Sequence, residues 1–75
     1  MENAEARMIE IVLNGRPRRV PVGLNVPRLL SFLEIDPSRV AVELNRQIAR
    51  KTEWESTEVG PGAQIEIVWF VGGGR

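Results

Sequence analysis

Apolar and polar residues alternate in the stretch MIEIVLNG, from Met8 onwards. This period of two is typical of a strand with one buried and one solvated face. The two sets of side chains are Ile9, Ile11 and Leu13 on one face, and Glu10 and Val12 on the other. Asn14-Gly15 follows, and both residues tolerate positive φ angles, so the pair predicts a tight hairpin turn. A second strand over roughly 18–22 then returns antiparallel to the first.

The apolar period changes in the stretch NVPRLLSFLEI, residues 25–35. Its apolar residues recur at helical spacing: Val26, Leu29, Leu30 and Leu33. Asn25 is a candidate N-cap, and Pro27 suits the first turn of a helix. Asp36-Pro37 predicts the end of the helix, because a residue that precedes proline avoids the α conformation.

Two further strands follow. RVAVELN (39–45) alternates, with Val40, Val42 and Leu44 on one face. The next segment, RQIARKTEWESTEV, has no clean period and predicts a crossing segment with one helical turn around Trp54. GPG (60–62) turns the chain into the last strand, predicted over 64–71. The order ββαββ predicts an α+β fold of the β-grasp type, in which one helix packs across a mixed sheet.

The last strand, in the stretch IEIVWFV, is the most hydrophobic part of the chain. Strand alternation predicts that three residues face inward, toward the helix: Ile65, Ile67 and Trp69. Glu66, Val68 and Phe70 then face the opposite side. We therefore expect an exposed apolar pair, Val68 and Phe70, beside the end of the chain. Trp54 is expected to close one end of the core.

Composition excludes several functions. The 75 residues form one domain at most and include no cysteine or histidine, which argues against disulfides, thiol nucleophiles, imidazole bases and common zinc sites. Ten basic and ten acidic residues cancel, so no broad field favours nucleic acid or an anionic membrane. The N-terminal MENAEAR lacks the apolar core of a secretion signal, so a cytoplasmic location is expected. We expect neither an enzyme nor a metal protein.

The sequence divides into three parts by these patterns. Residues 1–7 are expected to be a flexible extension, 8–71 the β-grasp domain, and 72–75 a flexible glycine tail. Glycine has no Cβ, so Gly72, Gly73 and Gly74 accept any backbone geometry and allow a partner's backbone to close around them. Their position directly after the last strand favours a functional tail over a frayed end.

Three segments together resemble the ThiS family, the sulfur carriers of thiamin biosynthesis, which have a ubiquitin-like β-grasp fold. They are NGRPRRVPVGLNVPRLLSFLEI, VAVELNRQIARKTEW and PGAQIEIVWFVGGG. The hairpin Asn14-Gly15, the AVELN strand, the spacing of Arg50 and Trp54 and the terminal glycine run are specific in combination. The resemblance covers nearly the whole chain from Met8.

This resemblance implies a carrier chemistry at the glycine tail. An E1-like adenylating enzyme of the ThiF type would join the Gly74 carboxylate to AMP from ATP, and a sulfur donor would displace AMP to leave a thiocarboxylate. A thiazole synthase of the ThiG type would then take the sulfur. Gly72 and Gly73 would thread into the partner, while Val68, Phe70 and Val71 would dock against it. The carrier itself would bind no cofactor.

One difference from the family concerns the last residue. Family members generally end on Gly-Gly, whereas this sequence continues to Arg75. The resemblance then implies an inactive precursor and a protease that removes Arg75. Two alternatives remain open: a carrier of the same fold in the molybdopterin or cysteine pathway, and a β-grasp interaction module whose glycines are inert.

Overall fold

The computed structural model describes residues 7–71, and the chain has a single α-helix and a single sheet in this range. The elements are β1 (Met8–Leu13), β2 (Arg16–Pro21), α1 (Val26–Phe32), β3 (Val40–Leu44), β4 (Gln47–Ile48) and β5 (Gln64–Trp69). Two short 3₁₀ turns lie at Pro37–Arg39 and Lys51–Ser56. The predicted extension, except for Arg7, and the glycine tail lie outside the described residues. No helix within 7–71 is long and apolar enough to cross a membrane.

The sheet has the order β2-β1-β5-β3-β4. β1 pairs with β2 in antiparallel and with β5 in parallel orientation, and β3 pairs antiparallel with both β5 and β4. The first and last strands therefore lie side by side in the middle of the sheet. This mixed sheet with one helix confirms the β-grasp prediction.

The core is entirely apolar in the described part of the chain. It comprises Ile11, Val20, Val26, Leu29, Leu30, Val40, Val42, Trp54, Val59, Ala63, Ile65 and Ile67. Burial of each valine, leucine or isoleucine side chain contributes about 1.5–3 kcal/mol relative to exposure. Trp54 is buried, and its Nε1 donates a 2.7 Å hydrogen bond to the carbonyl of Ala49. The predicted role of Trp54 in closing the core is confirmed.

The predicted hairpin turn at Asn14-Gly15 is confirmed, but β2 begins earlier than predicted. β2 covers Arg16–Pro21, whereas the sequence pattern indicated 18–22. Asn14 and Gly15 form the whole turn, with φ angles of 50° and 82°, so pairing resumes at once with Leu13 opposite Arg16. Since a two-residue turn leaves no unpaired connector, the strand begins two residues earlier than its apolar pattern shows.

The helix is shorter than the predicted 25–35. Asn25 caps it as expected, and its side-chain oxygen accepts a 2.9 Å hydrogen bond from the backbone N–H of Arg28. The helix ends at Phe32, before Asp36-Pro37, because Glu34 adopts a left-handed φ of 61°. The N–H of Ile35 then bonds to the carbonyl of Leu30, and that of Glu34 to Ser31, which satisfies the last helical carbonyls.

A short strand was missed in the crossing segment. Asn45 and Arg46, with φ angles of 53° and 70°, form a two-residue turn after β3, and Gln47–Ile48 pairs back as β4. Two residues are too few to show a period in sequence. The helical turn predicted around Trp54 is confirmed as the 3₁₀ turn Lys51–Ser56.

Candidate functional site

The candidate site begins with β5, the central strand that leads to the predicted tail. Its pairing with β1 ends where Leu13 lies opposite Ile65, because β1 stops there for its hairpin turn. Its pairing with β3 continues until Trp69 lies opposite Val40. The C-terminal half of β5 therefore extends beyond β1 and is flanked by β3 on one side.

Two asparagines fix the position of β5 with side-chain hydrogen bonds. Asn45 Oδ1 accepts a 2.9 Å bond from the N–H of Gln64, and Asn14 Oδ1 accepts a 2.7 Å bond from the N–H of Ile67. Both asparagines occupy hairpin turns at positive φ. Sequence reasoning predicted the turn at Asn14 but missed both bonds, although asparagine in each turn was an available signal, since its side chain can accept from a neighbouring strand.

The faces of β5 match the predicted alternation at most positions. Ile65 and Ile67 are buried, while Glu66, Val68 and Phe70 are exposed. Val68, Phe70 and Val71 expose 54%, 58% and 91% of their surface. The three predicted docking residues are thus exposed, at positions directly before the tail.

The prediction for Trp69 was wrong. Its place in the alternation assigned it to the core, but its side chain is 48% exposed. Trp69 lies at the rim of the sheet, past the end of β1 and opposite Val40, the first residue of β3. The period of two gives the face of a strand residue but does not show where the neighbouring strands end, so the sequence missed a fourth exposed apolar residue here.

β5 ends at Trp69 instead of continuing to 71 as predicted. The backbone of Phe70 is nevertheless held in place, because its N–H donates a 2.9 Å hydrogen bond to the carbonyl of Arg39. Arg39 is the last residue of the 3₁₀ turn that Asp36 caps. The described chain is therefore anchored as far as the residue before Val71.

The cap at Asp36 depends on its charge. Hydrogen bonds from the backbone N–H and then the hydroxyl of Ser38, at 3.0 and 2.9 Å, together with the nearby Arg39 guanidinium, lower the pKa of Asp36 below its ordinary 3.8. Because this pKa is lowered on folding, the contribution of the cap is present above about pH 4 and is lost as the pH falls through the folded value. It is therefore intact near neutral pH.

The rest of the described surface offers little chemistry. A shallow depression of about 510 Å³ lies near the start of β5 and is lined by Val12, Gly15, Glu43, Arg46, Gln64, Ile65 and Glu66. It mixes opposite charges and lies away from Phe70 and Val71. Within residues 7–71, no group of three acidic, histidine or cysteine side chains is placed to hold a metal ion. The exposed end of β5 is the better candidate site.

The ThiS family model matches residues 11–74. This chain belongs to the ThiS family. Members of the ThiS family are small sulfur carrier proteins and not enzymes. The match runs from Ile11 in the first strand to Gly74, so it includes nearly the whole fold and the three glycines of the tail.

Solved structures support the assignment to the ThiS family. The crystal structure of the thiamine biosynthesis protein ThiS from Geobacter metallireducens is 35% identical to this chain, with a TM-score of 0.78 over 88% of this chain and all of that one. An NMR structure of a thiamine biosynthesis protein from the same organism gives 34% identity and a TM-score of 0.75, covering 89% of this chain and 90% of the other.

Curated relatives include proteins of two sizes. Thiazole synthases of Paramagnetospirillum magneticum and Magnetococcus marinus are 38% and 34% identical over 88% and 89% of this chain. The chain spans only about a fifth of their length, 20% and 21%. The uncharacterized protein ycf40 of Pyropia yezoensis is 35% identical over 88% of this chain and 93% of its own length.

Proposed function

We propose that this protein carries sulfur for thiazole formation in thiamin biosynthesis, on a thiocarboxylate formed at Gly74. The observation that carries the proposal is the family match, which continues through the glycines to Gly74. The supporting geometry is at the end of β5, where exposed Val68, Phe70 and Val71 lead directly to those glycines. A partner that grips these side chains would hold the tail at the same time.

The chemistry explains why a second protein is needed. A carboxylate is a poor electrophile, so the Gly74 carboxylate must be activated before sulfur can replace one of its oxygens. An E1-like enzyme of the ThiF type would form the acyl adenylate from ATP, with release of pyrophosphate. A sulfur donor would then displace AMP. Extended Gly72–Gly74 would span about 10 Å, at 3.3–3.6 Å per residue, enough to reach into a partner while the domain stays outside.

Two findings favour thiazole formation over the other carrier pathways. The two solved structures from Geobacter metallireducens are both of thiamine biosynthesis proteins. Two thiazole synthases contain a segment similar to this chain within a much longer protein. A thiazole synthase of the ThiG type is therefore the proposed sulfur acceptor, ahead of acceptors in the molybdopterin or cysteine pathways. A β-grasp interaction module with inert glycines is the alternative from a different class.

Arg75 bears on how the carrier would be activated. In the sequence, the Gly74 carbonyl is part of a peptide bond to Arg75. We propose that a protease removes Arg75 and so exposes the reactive carboxylate. An additional residue would displace the terminal carboxylate by about 3.5 Å, whereas near-attack geometry tolerates misplacement on the order of 1 Å.

The test is ATP–pyrophosphate exchange with the cognate E1-like enzyme, using the full chain and a form that ends at Gly74. We expect ATP–pyrophosphate exchange with the shorter form alone, and identical melting of the two forms, because both keep every residue of the described domain, 7–71. Mass spectrometry after addition of the sulfur donor should then show sulfur in place of one terminal oxygen. Absence of exchange with the Gly74 form would contradict the carrier function. Equal exchange with both forms would contradict only the precursor role of Arg75.

A further inference from the structure

The C-terminal half of β5 has one edge that no strand covers within residues 7–71. In the pairing with β3, the N–H of Phe70 bonds to Arg39 and the carbonyl of Gln64 accepts from Asn45, so the even-numbered residues of β5 bond toward β3. The odd-numbered residues bond toward the β1 side, as Ile65 does with Asn14. Beyond Leu13, β1 no longer occupies that side.

The backbone groups along this edge can be followed one by one. The N–H of Ile67 is bonded to the Asn14 side chain, which extends the ladder by one position. The carbonyl of Ile67 and the N–H and carbonyl of Trp69 point the same way and have no hydrogen-bond partner in the described chain. Val71 is the next odd-numbered residue. We call the strip from the Ile67 carbonyl to the Val71 N–H the open edge.

From this geometry we infer that the open edge binds an extended segment of the activating partner as an additional β-strand. A row of free backbone donors and acceptors at strand spacing is the surface that such a segment recognises. Val68 and Phe70 on one face and half-exposed Trp69 on the other supply side-chain contacts on both sides of the added strand. This inference rests on the proposed function, because the partner is the E1-like enzyme.

The two outer strands of the sheet are less suited to pairing. β2 forms one outer edge and contains Pro17 and Pro21, which lack an N–H, together with three exposed arginines. β4 forms the opposite edge and has only two residues. The open edge also directly precedes Gly72, so a strand added there would set the direction in which the tail leaves the domain.

Amide hydrogen exchange of the full chain and of the Gly74 form, with and without a saturating amount of the E1-like enzyme, tests the inference. We expect slow exchange at Phe70 throughout, because its N–H is already bonded. The amides of Trp69 and Val71 should exchange fast in the free protein and slow by about tenfold or more in the complex. Protection of the Trp69 amide in the free protein, or in a dimer of this chain without the enzyme, would overturn the inference. Trp69 and Val71 amides that stay unprotected when the protein is saturated with the enzyme would also overturn it.

A matched pair of variants removes the donor without removing the residue. Val71→Pro lacks the N–H but keeps an apolar side chain and an extended φ, whereas Val71→Ala keeps the N–H and loses side-chain atoms. We expect Val71→Pro to weaken binding roughly two- to tenfold more than Val71→Ala does, with both melting like the parent. Equal affinities of the two variants would contradict strand addition. If the Gly74 form supports ATP–pyrophosphate exchange but its Trp69 amide stays unprotected in the complex, only the role of the open edge is rejected. If the Gly74 form supports no ATP–pyrophosphate exchange, the proposed function is rejected.

Discussion

At the residue scale, each of the two turn asparagines has two structural roles. Asn14 and Asn45 adopt the positive φ that their two-residue turns need, and each side chain also accepts a hydrogen bond from β5. The turns of two hairpins are thus connected to the central strand. This arrangement couples the geometry of the turns to the position of the strand that leads to the tail.

Replacement of Asn14 should separate these two contributions. Asn14→Ala should reduce the free energy of unfolding by about 1–3 kcal/mol, because the partly buried N–H of Ile67 loses its acceptor, and strain at positive φ adds about 1 kcal/mol. Asn14→Gly should lose only the hydrogen bond, and Asn14→Asp should stay close to the parent since it keeps an acceptor. Urea denaturation measures all three. If Asn14→Gly unfolded like the parent, the bond to Ile67 would carry no stability.

At the scale of the element, β5 has two faces with different tasks. Ile65 and Ile67 pack into the core, and Val68 and Phe70 lie on the opposite, exposed face. The six-residue strand and Phe70, which directly follows it, therefore both stabilise the fold and present the proposed docking surface. Because the two sets of side chains lie on opposite faces of the strand, substitutions on one face should leave the function of the other face largely unchanged.

A comparison of Phe70→Ala with Ile67→Ala tests this division. Ile67 is 4% exposed, so its truncation opens a cavity and should cost about 2–5 kcal/mol of folding free energy. Phe70→Ala should change stability much less but weaken binding to the E1-like enzyme by about 1–3 kcal/mol, as loss of an aromatic anchor does. Thermal melts and a binding titration provide the two readouts. If Phe70→Ala lowered the melting temperature as much as Ile67→Ala does, Phe70 would belong to the core.

At the scale of the whole molecule, the sheet order joins the ends of the described chain. β1 and β5 pair in the centre, while β2 and β4 are the outer strands. The core draws residues from β1, β2, α1, β3, the 3₁₀ turn around Trp54 and β5. The central pair of strands, β1 and β5, therefore cannot form until the last strand is in place.

We expect unfolding to be a single cooperative transition for this reason. Trp69→Phe leaves Trp54 as the sole tryptophan. The fluorescence of Trp54, which is buried, reports on the end of the core that this side chain closes. Its fluorescence and the far-UV circular dichroism of the sheet should change at the same temperature. Separate midpoints would indicate that the region around Trp54 unfolds independently of the strands.

The sequence by itself predicted the order of the main elements, the Asn14-Gly15 hairpin, the Asn25 cap and the buried residues Ile65 and Ile67. These features depend on local periodicity and turn chemistry, which nearby residues determine. The family resemblance was also visible in sequence, and the match over 11–74 confirms it. The role proposed for the glycines follows from that resemblance and from their lack of side chains.

Only the tertiary structure decided how far each strand extends beside its neighbours. The end of β1 at Leu13 is what exposes Trp69, leaves the open edge along β5 and brings Asn14 within reach of Ile67. These relations join residues more than 50 positions apart. A strand's own period shows which way its side chains face, but the lengths and registers of the strands beside it determine which backbone groups stay free.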